Sequence, residues 1–229
     1  MSFSLKKVVP WGRSLAEYRA MFALCEKDLN QNILGCGDGP ASFNAELTQT
    51  GSRVISVDPL YQYSAEEIKQ RIDETYDLVM AQTAGNRDEF VWTHVTSLEM
   101  LGTIRKGAME CFLTDYRAKA NRYIAAGLPH LPFKDNQFGL ALCSHFLFLY
   151  SEQLPLEFHI ESLKELARVA REIRVFPLLE LGAERSRHLD AVFSELDQKK
   201  YHIHIKTVPY EFQRGGNQML LIQRRQKRR

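Results

Sequence analysis

No two of the four cysteines stand at metal or redox spacing. Cys25, Cys36, Cys111 and Cys143 are scattered, each among apolar neighbours, and read as small buried hydrophobes of a reducing compartment. Long apolar runs are missing too. The longest, Phe138 to Tyr150, is interrupted by Ser144 and His145 and is too short to span a bilayer. The opening MSFSLKKVVPWG has basic residues with no apolar stretch behind them, so it is not read as a signal peptide. The expectation is a soluble, cytoplasmic protein without a membrane partner. Charge of one sign is scarce as well, with 30 basic against 28 acidic side chains and a formal net charge of +2. Only 13 glycines and a 45% apolar content exclude collagen-like and disordered chains. What remains is a globular chain of 229 residues, one domain over 1–223 with an elaboration. A chain of this length buries about 70% of its unfolded surface.

The small net charge is unevenly spread. Arg224, Arg225, Lys227, Arg228 and Arg229 crowd the end without an acid among them, so the rest of the chain is mildly acidic. That excludes a fold-wide nucleic-acid surface. Residues 224–229 are read as a flexible, solvated basic tail, with phosphate docking as the alternative.

Apolar periodicity orders the chain as alternating strands and helices. Leu15, Tyr18, Phe22 and Leu29 follow a cap at Ser14 and predict a helix over 14–29. Asn32 to Gly37 is a first strand, Ala41 to Thr50 a helix, and Arg53 to Asp58 a second strand stopped by Pro59. Residues 60–121 are longer than a crossover needs and carry two helical patterns, Ile68 with Ile72 and Leu101 to Phe112, around a break at Ala84–Asn86. They predict a helical insertion or lid. Strands then follow at Arg122–Ala126, Phe138–Phe148 and Glu172–Leu179, with helices at Leu156–Ala170 and Ala183–Asp197. His202–Phe212 and Gln218–Gln223 predict a closing hairpin through Gln213–Asn217. The fold class is α/β: a Rossmann-like, doubly wound, mostly parallel seven-stranded sheet with an antiparallel C-terminal strand and a helical insertion between strands 2 and 3.

The chemistry concentrates in ILGCGDGP, where Gly35, Gly37 and Gly39 form GxGxG at a strand-to-helix turn. Such glycines allow φ > 0 and close approach of a ligand to the main chain. The dinucleotide fingerprint needs Gly or Ala where this chain has Pro40, which instead suits the first position of a helix. Asp58 ends the second strand about 20 residues later, where a carboxylate can accept from ribose hydroxyls. In strand–turn–helix–strand order these features point to an adenosine-type ligand. No GxSxG elbow and no phosphate-binding GxxxxGK[ST] is present.

With ILGCGDG, VISVDP and the segment LPHLPFKDNQFGLALCSH, the chain resembles the class I S-adenosylmethionine-dependent methyltransferases. The resemblance covers roughly residues 15–223 apart from the insertion. It implies S-adenosylmethionine as cofactor, held by Gly35, Cys36, Gly37, Asp38, Gly39, Asp58, Pro59, Leu128, Cys143 and Ser144. The chain departs from the family at Ile33 and Gly127, where acids are usual, and at Gly139, where Asp is usual. Asp38 and the backbone around Leu128 are the substitutes. SHFL replaces the (Asn/Asp)-Pro-Pro-aromatic motif common in amine methyltransferases of this kind, which favours a small-molecule substrate.

At the end of the fourth strand His145 is the candidate catalytic residue, with Tyr150 and His159 as polar partners. The alternative is a structural histidine amid core aromatics. Trp11–Gly12–Arg13 with Tyr18 is a candidate lid over the cofactor, and Trp92, His94, Tyr116 and Arg117 are candidate walls from the insertion, or else packing residues. His202 and His204 face one way on a strand, a geometry that can bind metal, but no third ligand stands nearby and no metal is expected. Two functions result. One is a small-molecule methyltransferase; the other is an RNA-associated methyltransferase, or a non-catalytic binding module, that docks nucleic acid through the basic tail.

Overall fold

The structure is a computed structural model and describes residues 8–118, 121–196 and 199–225. Its centre is the seven-stranded sheet expected from the alternating apolar runs, in the order β3-β2-β1-β4-β5-β7-β6. The strands are β1 Asn32–Cys36, β2 Arg53–Val57, β3 Tyr123–Ile124, β4 Phe138–Ser144, β5 Ala170–Phe176, β6 Tyr201–Thr207 and β7 Gln218–Arg224. β1 to β5 pair in parallel, and β7 runs antiparallel between β5 and β6. Buried side chains such as Leu34, Ala141, Ile173, Leu163 and Leu166 fill one face, and Ile33, Leu140, Tyr18, Phe22 and Phe43 fill the other.

Seven α-helices accompany the sheet among the described residues: α1 Leu15–Met21, α2 Glu26–Leu29, α3 Phe43–Thr48, α4 Ala65–Gly85, α5 Leu98–Arg117, α6 Leu156–Val169 and α7 Leu189–Glu195. None is long and apolar enough to cross a membrane. The insertion is α4 and α5, packed on each other through Ile68, Ile72, Met109, Phe112 and Leu113, with the break between them where Ala84–Asn86 predicts it. Ser64 caps α4 reciprocally: its hydroxyl accepts from Glu67 N, and its backbone N–H donates to Glu67 Oε2.

Several boundaries differ from the sequence reading, each for a tertiary reason. The helix over 14–29 is two helices, because Ala23 takes φ 46° where the Arg174 guanidinium donates to Phe22 O at 2.7 Å and pairs with Asp28. Pro40 is not a helix start: α3 begins three residues later behind Ser42. The helix over 183–197 shrinks to α7, since Leu179 bridges Arg185 and Ala183 adopts φ 64°. β3 is two residues long, and β5 stops before Pro177. Cys25 is exposed at the start of α2, against the expectation of burial, and Cys111 is half-buried; Cys36 and Cys143 are in the core. Arg224, grouped with the basic tail, closes β7 and donates to Asn136 Oδ1 at 2.6 Å. Arg225 donates to Tyr201 O, and residues 226–229 lie outside those described.

Candidate active site

A doubly wound sheet leaves a crevice at the carboxyl ends of its strands where the strand order reverses. Here β1 lies between β2 and β4, and a cavity of about 740 Å³ opens above the ends of all three. Its floor is Cys36 at the end of β1 with Gly37, Asp38 and Gly39 after it, Asp58 and Pro59 after β2, Gly127 and Leu128 after β3, and Ser144 and His145 at the end of β4.

The glycine loop turns under left-handed torsions, φ 67° at Gly37 and 50° at Gly39. A Cβ on Gly39 would meet only Asp58 Oδ2, at 3.9 Å, so the main chain there is open to a ligand. Gly35 has a different reason. A Cβ there would fall 1.8 Å from Asp38 Oδ2, so its missing side chain makes room for a carboxylate of the protein, and Gly35 stands outside the cavity lining.

Asp58 bonds both neighbours of the crevice: Oδ2 accepts from Gly39 N at 2.9 Å and Oδ1 from Leu60 N at 2.8 Å. Each carboxylate oxygen accepts more than one hydrogen bond, so capacity for two ligand hydroxyls is left. Burial raises the Asp58 pKa against these two backbone bonds. Asp38 is buried deeper. Tyr18 donates to its Oδ1 at 2.8 Å and Ser56 to its Oδ2 at 2.6 Å, yet burial pushes its pKa up to about 7, with Asp58 adding to the rise.

Packing explains the family departures. Ile33 is fully buried against the α1 side of the sheet. A Cβ on Gly127 would sit 2.9 Å from the Pro59 ring, and one on Gly139 would sit 2.3 Å from Gln31 Oε1. The segment Leu131–Asp135 is gathered by Arg168 of α6, which donates to Phe133 O, Leu131 O and Asp135.

The roof comes from two distant segments. Residues 8–13 run across the cavity as a strap, with Val9 N–H donating to the Tyr150 oxygen and Trp11 packing on Tyr76 of α4. The insertion contributes residues including Tyr63, Ile68, Arg71, Glu74, Leu101 and Arg105. Trp92, His94, Tyr116 and Arg117, the walls expected from the sequence, do not line this cavity; the last two border a separate groove with Tyr63 and Tyr123.

Roof and floor meet at a cluster absent from the sequence reading. Arg105, 1% exposed, pairs with both Glu17 oxygens at 2.6 and 2.7 Å, and Tyr210 donates to Glu17 Oε1 at 3.0 Å. Burial alone would raise the Glu17 pKa, but the Arg105 charge and its hydrogen bonds outweigh it and hold the carboxyl at about 2. Arg13 completes the group: its Nε is buried without a partner, and burial followed by repulsion from Arg105 lowers its pKa. With Glu17 committed to Arg105, Arg13 lines the cavity with no ion pair among the described residues, and its Nη1 donates to Trp11 O at 3.1 Å.

His145 lines the cavity at φ 50°, a strained torsion for a non-glycine residue, pinned by its N–H donating to Phe176 O at 2.6 Å. Burial, reinforced by Arg13 and Arg105, drops its pKa well below the ordinary histidine value, so the ring is neutral. Tyr150 also lines the cavity. His159 does not: it is fully buried on α6, its two ring nitrogens at 2.9 Å from Pro155 O and Leu147 O, which makes it a core residue. Cys143 is likewise core. His202 and His204 stack on the edge strand β6, and no group of three metal-ligating side chains gathers among the described residues.

The sheet order, the closing antiparallel strand and the crevice with its glycine turn and acid define a Rossmann-like, mostly parallel α/β fold. The chain belongs to the family of the uncharacterized protein MJ0045 of Methanocaldococcus jannaschii, with which it is 35% identical over 222 residues, 96% of this chain and 98% of that relative. No family model matches it. Among solved structures it is similar to magnesium protoporphyrin IX methyltransferase from Synechocystis PCC 6803 with bound S-adenosylmethionine, at 12% identity and a TM-score of 0.49 over 92% of this chain and 78% of that one. A methyltransferase from Methanosarcina mazei is similar at 12% identity and a TM-score of 0.46, over 87% and 94% of the two chains.

Proposed function

We propose that the protein transfers a methyl group from S-adenosylmethionine to a small molecule held beneath the strap and the insertion. The observation that carries this reading is the placement of Asp58 beside the open backbone of Gly39, at the point where the strand order reverses. The residues suit the group. Asp58 offers lone pairs to two vicinal ribose hydroxyls, Pro59 and Leu128 offer apolar surface to a base, and Arg13, which has no ion pair among the described residues, offers a cation to a methionine carboxylate.

When bound, the cofactor supplies an activated methyl on a sulfonium. The protein's part is alignment and exclusion of water. The strap brings Trp11 and Arg13 to the cavity lining, and the buried Arg105–Glu17 pair fixes the insertion against α1. His145, neutral and at the end of β4, is placed to take a proton from an oxygen or nitrogen acceptor. A small acceptor fits a cavity roofed from two sides.

The test is incubation with methyl-labelled S-adenosylmethionine and a metabolite extract. Label in a low-molecular-weight product supports the reading. Label confined to added RNA or protein, or no transfer at all by folded protein, overturns it.

A further inference from the structure

Part of the cavity lies beyond the residues that suit the cofactor. In the strand order β2-β1-β4-β5, Asp58 follows β2 on one side of β4, and Leu181 follows β5 on the other. Leu149, Leu181, Phe90, Phe212 and Gln213 line this second end, and hydrogen bonds join them into one wall. Leu181 N–H donates to Leu149 O at 3.2 Å, Gln213 Nε2 donates to Glu180 O at 2.7 Å, and Gln213 forms a β-bridge with Phe90. The insertion is tied to the same wall. Val91 N–H donates to Phe212 O at 2.7 Å, and Arg214 donates to the carbonyls of Glu89, Asp88 and Phe90 at 2.8, 2.8 and 3.1 Å.

The inner surface of this end is aromatic. The Phe90 and Phe212 rings line the cavity with centroids 5.0 Å apart. Trp92, outside the lining, packs edge-on against both at 6.2 and 5.4 Å, and the Arg87 guanidinium covers its ring at 4.5 Å. Buried Val79 of α4 and Leu101 of α5 add apolar surface from the insertion. Two polar atoms are placed to meet the edge of a ring. The Tyr150 oxygen accepts from Val9 N–H at 3.3 Å and still has its own proton to give, and Gln213, whose amide nitrogen donates to Glu180 O, presents Oε1 as an acceptor.

Charge narrows the class of occupant further. The cations lining the cavity are Arg13, Arg71 and Arg105. Arg105 is committed to Glu17 and Arg71 to Glu74, and in the methyl-transfer reading Arg13 serves the methionine carboxylate. Glu89 brings an acid to the same end as Phe90. An anion here would lose hydration without gaining a cation, which is costly. A neutral ring avoids that cost and gains contact with two aromatic side chains.

We propose that this end is the acceptor subsite and that the methyl acceptor is an uncharged, flat aromatic molecule seated against Phe90 and Phe212. Its use in methyl transfer rests on the methyl-transfer reading, while its preference for neutral rings is a property of the protein alone.

Calorimetry at pH 7 with 2-naphthol, 2-naphthoate and the saturated analogue 2-decalol tests the subsite, each with and without excess S-adenosylhomocysteine. Saturable binding of 2-naphthol is expected in both conditions, with 2-naphthoate weaker by about tenfold or more. Phe212→Leu keeps an apolar side chain and removes the ring, and is expected to weaken 2-naphthol by about two- to tenfold and to erase its advantage over 2-decalol. Leu181→Trp, which fills the space from the opposite element, is expected to abolish 2-naphthol binding at an unchanged urea midpoint. Added 2-naphthol is also expected to suppress label transfer from methyl-labelled S-adenosylmethionine into a metabolite extract. No binding of 2-naphthol, equal binding of 2-naphthoate or 2-decalol, displacement by S-adenosylhomocysteine, wild-type affinity in both variants, or undiminished label transfer at saturating 2-naphthol overturns the proposal. Titration with S-adenosylhomocysteine alone separates the two readings. Its heat without 2-naphthol binding overturns the aromatic subsite only; 2-naphthol binding without its heat overturns the cofactor reading and leaves an aromatic-binding site.

Discussion

The floor and the roof of the cavity are built by different means. The floor is made by residues close in sequence to strand ends: Gly37 and Gly39 after β1, Asp58 and Pro59 after β2, Ser144 and His145 at β4. Parallel pairing of those strands places them, and backbone bonds such as Gly39 N to Asp58 fix them. The roof is made by segments with no strand beneath them, and side chains distant in sequence tie them down: Arg105 to Glu17, Tyr210 to Glu17 and Tyr61 to Gly39 O. Strand order thus fixes the floor of the cavity, while the roof depends on a few buried polar contacts.

The largest effect expected from breaking this division is in the roof. Arg105→Ala leaves Glu17 buried and unpaired, and is expected to lower the unfolding free energy by about 3–5 kcal/mol in urea titrations. A loss below about 1 kcal/mol would mean that apolar packing alone holds the insertion. The pair also sets an acid limit. Because the folded Glu17 pKa is depressed to about 2, its contribution is complete above the ordinary carboxylate value and disappears as pH falls through about 2.

Asp38, in the floor, has the opposite sign. Its folded pKa is raised to about 7, so its contribution is complete below the unfolded value of about 3.9 and is lost as pH rises through about 7. Stability of the wild type relative to Asp38→Asn is expected to fall across that window by on the order of 1 kcal/mol per pH unit. A difference that does not vary with pH would show that the carboxyl is not perturbed.

Arg13 sharpens the boundary between the two regions. Arg13→Met is expected to weaken S-adenosylhomocysteine binding by about 1.5–3 kcal/mol and to spare 5′-methylthioadenosine, which has no carboxylate. Equal losses for both ligands would mean that the strap merely closes the cavity. The smallest effects belong to exposed insertion residues. His94→Ala and Arg117→Ala are expected to change stability and ligand affinity by less than about 0.5 kcal/mol, since neither lines the cavity.

The same division decides what the sequence made legible. Strand-end motifs are local, so the glycine turn, the RVISVD strand with its acid, His145 and the two-helix insertion with its break were all readable from short stretches. The roof was not. Glu17 and Arg105 are separated by 88 residues, and neither has a neighbour in sequence that marks it as a partner. Arg13 is visible in the sequence as part of a candidate lid, but its lack of an ion pair among the described residues appears only once Glu17 is seen to be committed to Arg105. His159 misled for the complementary reason. Its helical neighbours gave no sign that Leu147 O and Pro155 O occupy both ring nitrogens. Tertiary anchors likewise overrode local periodicity where Arg174 splits α1 from α2.

The central claim is that Asp58 at the strand-order reversal holds the ribose of S-adenosylmethionine. Calorimetry of S-adenosylhomocysteine with the wild type and with Asp58→Ala addresses it most directly. The account predicts saturable heat with the wild type and an affinity lower by about 1–3 kcal/mol in the variant. No heat with folded wild type, or an affinity unchanged by the substitution, would contradict it.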